Sequence, residues 1–327
     1  MEGQRIEISV PEQKLKERLD TFLTREISHV SRSQIQRLIK EGYVTVEGKR
    51  IKSNHLVRPS EKIEVFIPKP RPHEALPEDI PIDVVYEDDF LLVVNKEAGM
   101  VVHPAFGHSG GTLVNALLAH CKKLSAVYEP HRSGIVHRLD KDTSGLLVVA
   151  KNNCVHRHLA KQFGEKSVKR QYVAVVWGYL GTDSGTIETL LARSVKDRRK
   201  IRVTSEGKNA VTHFAVEERF PLTSMLRLRL ETGRTHQIRV HLAHIGHPVF
   251  GDHAYGGTGR QLGGLNKRET VLMIELLKMM PRQALHAKTL GFVHPVTGES
   301  CLFESSLPDD MKRFVERLRK AREEGIP

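Results

Sequence analysis

A carboxylate set between two cations, at the mouth of an apolar strand, is the feature of this sequence best suited to chemistry. In HRLDKDTSGLLVVAK, residues 137–151, a polar loop holds Arg138, Asp140, Lys141 and Asp142 and leads directly into the apolar run Leu146–Ala150. The flanking arginine and lysine favour the charged form of Asp140. That suits a nucleophile or a stabiliser of positive charge better than a proton donor. The same loop is also consistent with a charged turn in which Asp142 and Ser144 bond the backbone.

The charge balance indicates the partner. Lys and Arg total 51 against 39 for Asp and Glu, a formal net charge of +12, and such a field attracts polyanions before any specific contact forms. A solvated basic surface is the blander reading. Arg193, Lys196, Arg198, Arg199, Lys200 and Arg202 crowd one segment, and Arg32, Arg37, Lys40, Lys49, Arg50 and Lys52 form a second group nearer the N-terminus. Both are expected to grip nucleic-acid phosphates and set affinity, with little part in chemistry.

His241, His244 and His247 recur at helical i, i+3 spacing, as metal ligands can. No HExxH or similar signature accompanies them, so nucleic-acid contact or packing is the expected role and no metal is expected. The glycine clusters GHSGGT (107–112) and YGGTG (255–259) lack the Lys-Ser/Thr ending of a nucleotide loop and read as turns. Cys121, Cys154 and Cys301 are odd in number and contain no CxxC pair, which points to reduced, structural thiols. No apolar run is long enough for a membrane span and the opening MEGQRIEISV does not read as a secretory signal. A cytosolic protein is expected.

The elements that position these residues fall into two groups, as the 327-residue length suggests. Residues 14–67 read as a small module. Leu15, Leu19, Phe22, Leu23 and Ile27 have helical spacing, Ser31 is placed to cap a second basic helix that Gly42 can end, and YVTVEGKRI and KIEVFIP alternate as strands. Residues 68–81 carry five prolines and read as an extended linker. From 82 to 320, strand signals such as FLLVVNK, GLLVVAK, QYVAVVWGYL and MLRLRLETG alternate with helical stretches such as TLVNALLAHCKK, QIRVHLAHIGH and DDMKRFVERLRKAREE. This predicts an α/β or α+β domain on a large mixed sheet.

The string HRLDKDTSGLLVVAK resembles the signature of the RluA family of pseudouridine synthases. Blocks similar to that family follow its order: NKEAGMVVHP (95–104), KRQYVAVVWG (169–178), ETGRTHQIRVHLAHIGHPVFGD (231–252), and LHA with GFVHP between 285 and 295. The N-terminal unit resembles the S4 RNA-binding module. This domain order is similar to that of the members acting on large-subunit ribosomal RNA, the RluD type.

The resemblance implies an α+β architecture, an S4-like module followed by a synthase domain with a mixed, largely antiparallel sheet and a cleft across it. It assigns the catalytic aspartate to Asp140, its arginine partner to Arg239 and the active-site tyrosine to Tyr172. Arg138 would fill the gap left by an everted nucleotide, His137 would help position the loop, and Ile238 and Leu285 would wall the uracil. The implied reaction isomerises uridine in structured RNA, most fittingly 23S ribosomal RNA, without a cofactor. Transfer RNA as substrate, a non-catalytic ribosome-assembly factor and a base-hydrolysing glycosidase are the alternatives. A monomer is the simplest expectation.

Overall fold

A computed structural model describes residues 3–13, 16–27, 30–68, 75–104, 110–126 and 133–325. Leu15, residues 69–74 of the expected linker and residues 107–109 of the first glycine cluster lie outside them. The chain divides into two compact units, residues 1–71 and 72–327.

In the first unit, strands β1 (Gly3–Ser9), β3 (Val44–Val46), β4 (Lys49–Arg50) and β6 (Lys62–Pro68) form a sheet in the order β1-β6-β3-β4. Helix α2 (Arg32–Lys40) starts at Ser31 through a reciprocal capping box with Gln34 and stops before Gly42, whose φ of +81° few other residues accept. Glu47 and Gly48, at φ 48° and 71°, make the tight turn of the β3–β4 hairpin.

Two local expectations change. The N-terminal GQRIEIS is a full strand, paired with β6 along its length; its Ile6/Ile8 alternation is the signal that was available. The first helix, α1 (Leu19–Glu26), is shorter than the apolar spacing predicts. Glu17 and Arg18 form strand β2 instead and pair with β5 (Leu56–Val57), while the Leu19 N–H donates to His55 O. Apolar spacing shows which face is buried but not where a tertiary strand pairing captures the first turn. Leu19, Phe22, Leu23, Ile35 and Leu38 pack on Val44, Val46, Ile63 and Val65.

The second unit is built on β7 (Asp83–Glu87), β8 (Leu91–Lys96), β9 (Ser144–Ala150), β10 (Lys169–Trp177), β11 (Ser184–Arg193), β12 (Ile201–Thr204), β13 (Lys208–Phe220), β14 (Thr223–Leu230), β15 (Leu285–Val293) and β16 (Ser300–Glu304). Their order is β12-β11-β13-β14-β10-β15-β9-β8-β7, with β16 on β15. Every pairing is antiparallel except β15 with β9. The architecture is α+β with a mixed, largely antiparallel sheet.

Strands β8 and β9 are continuous apolar runs because both faces are covered. Leu92, Val94, Leu147 and Val149 join the core that includes Val114 and Leu117 of helix α3 (Leu113–His120). Leu91, Val93, Leu146 and Val148 join Val155 and Leu159 of α4 (Asn153–Gly164). Helices α5 (Gln237–His244), α6 (Lys267–Met279) and α7 (Asp309–Glu323) complete the unit, α6 with no counterpart among the expected elements. The expected linker is not free at its C-terminal end: Leu76 O accepts from Asn115 Nδ2, and the Glu78 carboxylate accepts from Gly111 N.

Candidate active site

The loop that carries Asp140 is held at both ends. Ahead of it, the His137 ring stacks on Phe163 at 4.6 Å between centroids, and its Nε2 accepts the Val148 N–H at 3.1 Å. Burial, and then the charge of Arg170, push His137 down to about 3, so it is a neutral anchor at neutral pH. Behind it, the buried Lys96 ammonium donates to Lys141 O, Glu97 O and Met100 O at 2.6–3.0 Å. The Ser144 hydroxyl bonds His286 Nδ1, and Arg282 donates to the Asp142 carbonyl. The loop is therefore a tertiary clamp, with the Ser144 hydroxyl turned to a buried histidine rather than to the backbone.

Helix α5 supplies the partner. It opens on His236 in the left-handed region, φ 54° and ψ 19°, a conformation that costs energy for a non-glycine residue and concentrates at functional sites. Gln237 fixes this corner by donating to Val211 O and Thr212 Oγ1 and accepting from Thr232 Oγ1 and Arg234 N. One turn on, Arg239 donates through Nη1 to Asp140 Oδ2 at 3.0 Å. Its Nε and Nη2 meet both oxygens of the buried Asp252 at 2.7 and 2.9 Å, and its guanidinium lies 5.0 Å from the Tyr255 ring centroid. Burial opposes the Arg239 charge, but the hydrogen bonds and charges of Asp252 and Asp140 reverse that and hold it above the ordinary arginine range.

His236 stands on the other oxygen of Asp140, with Nε2 3.9 Å from Oδ1. The Tyr255 hydroxyl accepts the Ile201 N–H at 2.9 Å and lies 2.8 Å from His236 Nδ1. With its oxygen accepting from the backbone, the phenol is set to donate to Nδ1, which leaves Nε2–H facing Asp140.

These groups open onto one small pocket. It is lined by Arg138, Asp140, Tyr172, Ile238, Arg239 and Leu285, together with His236 and Arg234. Six of the seven residues expected at the catalytic centre thus come together; His137 lies behind the loop as its anchor and does not line the cavity. Tyr172 is 7% exposed. Burial pushes its phenol up, Arg170 opposes that and Asp140 adds to it, so the ring is neutral. Arg138 is exposed and makes no hydrogen bond or salt bridge among the described residues.

The expected RNA-binding residues are used unevenly. Arg32 and Arg18 both pair with the buried Asp20, Arg37 pairs with Glu41, and Arg199 pairs with Asp197. Lys40, Lys49, Arg50, Lys52, Arg198 and Lys200 form no salt bridge among the described residues. The three spaced histidines diverge: His241 bonds Thr189 and Thr212, His247 bonds Trp177 O, and His244 is exposed. Among the described residues the one group of metal-type donors is Glu87, His120 and Cys121, where Lys151 already pairs with Glu87.

Sequence reasoning missed Asp252, His236 and Tyr255. Asp252 and His236 lie in a quoted block and Tyr255 in a glycine turn, but nothing local marks them. Their partners are brought in from elsewhere by the fold.

A basic module ahead of a mixed-sheet unit, whose cleft holds an arginine-paired aspartate and a buried tyrosine, is the arrangement expected of an RNA-modifying enzyme of the pseudouridine synthase class. The RNA pseudouridylate synthase family model matches residues 90–244 and the S4 domain model residues 17–63. The chain is 47% identical to a Bacillus subtilis (strain 168) protein described as the uncharacterized RNA pseudouridine synthase YlyB, over 96% of this chain and 98% of that one. It is 44% identical to ribosomal large subunit pseudouridine synthase D of Zymomonas mobilis, over 95% and 97%. The human RNA pseudouridylate synthase domain containing 1 shares the fold, with a TM-score of 0.53 and 24% identity over 77% of this chain and 97% of that one. The chain belongs to the RNA pseudouridine synthase family and carries an S4 domain ahead of its synthase domain. Among the described residues no helix is long and apolar enough to cross a membrane.

Proposed function

We propose that this enzyme converts uridine to pseudouridine in large-subunit ribosomal RNA, with Asp140 as the catalytic carboxylate and without a cofactor. The observation that carries this reading is the 3.0 Å pairing of Asp140 with Arg239 at the wall of a pocket that also holds Tyr172. Relatives named for the ribosomal large subunit, 40–44% identical over most of the chain, support the substrate. Work on ribosomal RNA would place the enzyme in the cytoplasm.

The reaction breaks the bond between uracil N1 and ribose C1′, turns the base and joins C5 to C1′. Positive character develops on C1′ as the first bond breaks, and a carboxylate beside the sugar can stabilise it, attack it or take a sugar proton. Arg239 takes Oδ2 of Asp140, so Oδ1, which His236 Nε2 approaches only to 3.9 Å, is the oxygen left for the sugar. The detached uracil stays between the Tyr172 ring and the Ile238 and Leu285 side chains, which also exclude water. The C5 proton leaves and N1 gains one, so atoms and redox state balance within the substrate. Eversion of the nucleotide exposes a gap in the stack, and the unpaired Arg138 is the group to fill it.

The test is Asp140→Asn. It should bind RNA as before, form no pseudouridine and release no tritium from C5-labelled uridine; ordinary turnover would overturn the assignment of Asp140. Free uracil from the wild-type enzyme would indicate hydrolysis instead. Loss of modification only at transfer RNA sites in cells lacking the gene would overturn the ribosomal substrate.

A further inference from the structure

We propose that Arg170 is a receptor for an RNA phosphate beside the everted nucleotide, an inference that rests on the reading of the neighbouring pocket as the uridine site. Strand β10 places Arg170 two residues before Tyr172, with a register shift against β15 between Gln171 and Tyr172, and the two lie close enough for the Arg170 charge to act on the Tyr172 phenol. A group there lies within one nucleotide's reach of a base stacked on Tyr172.

Arg170 is 7% exposed, its Nε has no hydrogen-bond partner, and no carboxylate lies within salt-bridge distance of its guanidinium among the described residues. The contrast is with Arg239, equally buried but held by two carboxylates. A buried cation is normally paired, because burial removes its hydration.

What surrounds Arg170 orients it without neutralising it. Its guanidinium lies 5.4 Å from the Phe163 ring centroid, and Phe163 also carries the stacked ring of His137. The phenyl ring packs against the fork but supplies no anion. Toward the pocket stands Gly233, next to the pocket-lining Arg234; a Cβ at Gly233 would come within 2.9 Å of Arg170 Nη1. Glycine at this position leaves the end of the fork unobstructed.

The substrate supplies one anion per nucleotide. A planar guanidinium matches two phosphate oxygens at once, and one already desolvated and oriented needs little reorganisation to do so. Of the cations that line the pocket, Arg239 is committed to two aspartates, Arg138 is free to enter the base stack and Arg234 donates through Nε to Asn209 O; Arg170 stands behind Gly233, outside that lining. Arg170 therefore fixes the backbone next to the target while the pocket holds the base.

The experiment compares wild type with Arg170→Gln, Arg170→Lys and Gly233→Ala, using an in vitro transcript of large-subunit ribosomal RNA. Binding is measured as a function of salt, and turnover is scored in the same samples. For Arg170→Gln the slope of log affinity against log salt should fall by about 1, and KM should rise roughly 10-fold with a smaller change in kcat. Arg170→Lys should keep the slope, and Gly233→Ala should weaken binding with Arg170 intact. If Arg170→Gln fails to fold, the other two still decide. A Gln variant with unchanged slope and KM but lower thermal stability would overturn the proposal and leave a packing role. So would a Gly233→Ala enzyme with unaltered affinity. No turnover by wild type would count against the proposed function, whereas the salt slopes would still judge Arg170.

Discussion

Asp252 takes two of the three nitrogens of the Arg239 guanidinium, both within 2.9 Å, although it lies at no substrate surface and is fully buried. Its Oδ1 also accepts the N–H groups of Ala254 and Tyr255 at 2.9 and 3.2 Å. Asp252 thus sets the direction in which Arg239 presents Nη1 to Asp140. Asp252→Asn should lower kcat by 10- to 100-fold, about 1.4–2.7 kcal/mol, with RNA affinity within about 2-fold of wild type. Single-turnover pseudouridine formation and filter binding would measure the two. An unchanged kcat would mean that Arg239 needs no such support.

Tyr172 is a neutral phenol, so a role for its hydroxyl at C5 requires it to pass on its own proton as it takes another. Tyr172→Phe keeps the stacking ring and removes only that oxygen. If the hydroxyl moves the C5 proton, tritium release from C5 should slow by about 100-fold or more while affinity stays near that of wild type. Equal losses in binding and release would restrict Tyr172 to stacking.

Three buried histidines should make the synthase unit sensitive to acid. Burial pushes His137 to about 3 and His241 and His286 to about 4. The unfolded chain takes up protons near 6.5, so it binds more protons than the folded one between that pH and the folded values. Stability is therefore full above about 6.5 and falls as pH drops, by up to about 1.4 kcal/mol per pH unit for each histidine. Urea midpoints from pH 7.5 to 4.5 should show this decline, and a flat profile across that range would contradict it. His241→Gln, which can still bond Thr189 or Thr212, should make it shallower.

Gly145 has φ +117°, and a Cβ there would lie 2.2 Å from the Ala287 carbonyl oxygen. That contact is with backbone, at the parallel pairing of β9 and β15 just after the Asp140 loop. Gly145→Ala should cost at least about 3 kcal/mol and lower activity by shifting Asp140. Denaturant unfolding followed alongside turnover would show both effects. A fully stable, active variant would show that the junction can part without cost.

Local patterns carried much of the fold and part of the site. Alternation marked β3, β6 and β14, and helical spacing and a capping residue marked α2. Asp140 was conspicuous because its neighbours in the chain are charged. Strand β12, the pairing of β2 with β5 and the packing of residues 75–81 on α3 left weaker traces, since each depends on a distant partner more than on its own composition. His137 shows the limit clearly: beside Asp140 in sequence, it faces away and anchors the loop from behind.

From the chain alone came the carboxylate proposed to react, its candidate partners and the excess of positive charge that suits a polyanion. Only the tertiary structure decided which of those groups meet. Asp140 and Arg239 are 99 residues apart, and whether an arginine at such a distance pairs with one aspartate or is shared between two is settled by the direction of α5 and the position of Asp252. Local sequence records side-chain chemistry and periodicity; distances between remote groups arise from the joint packing of every element, which no short segment encodes.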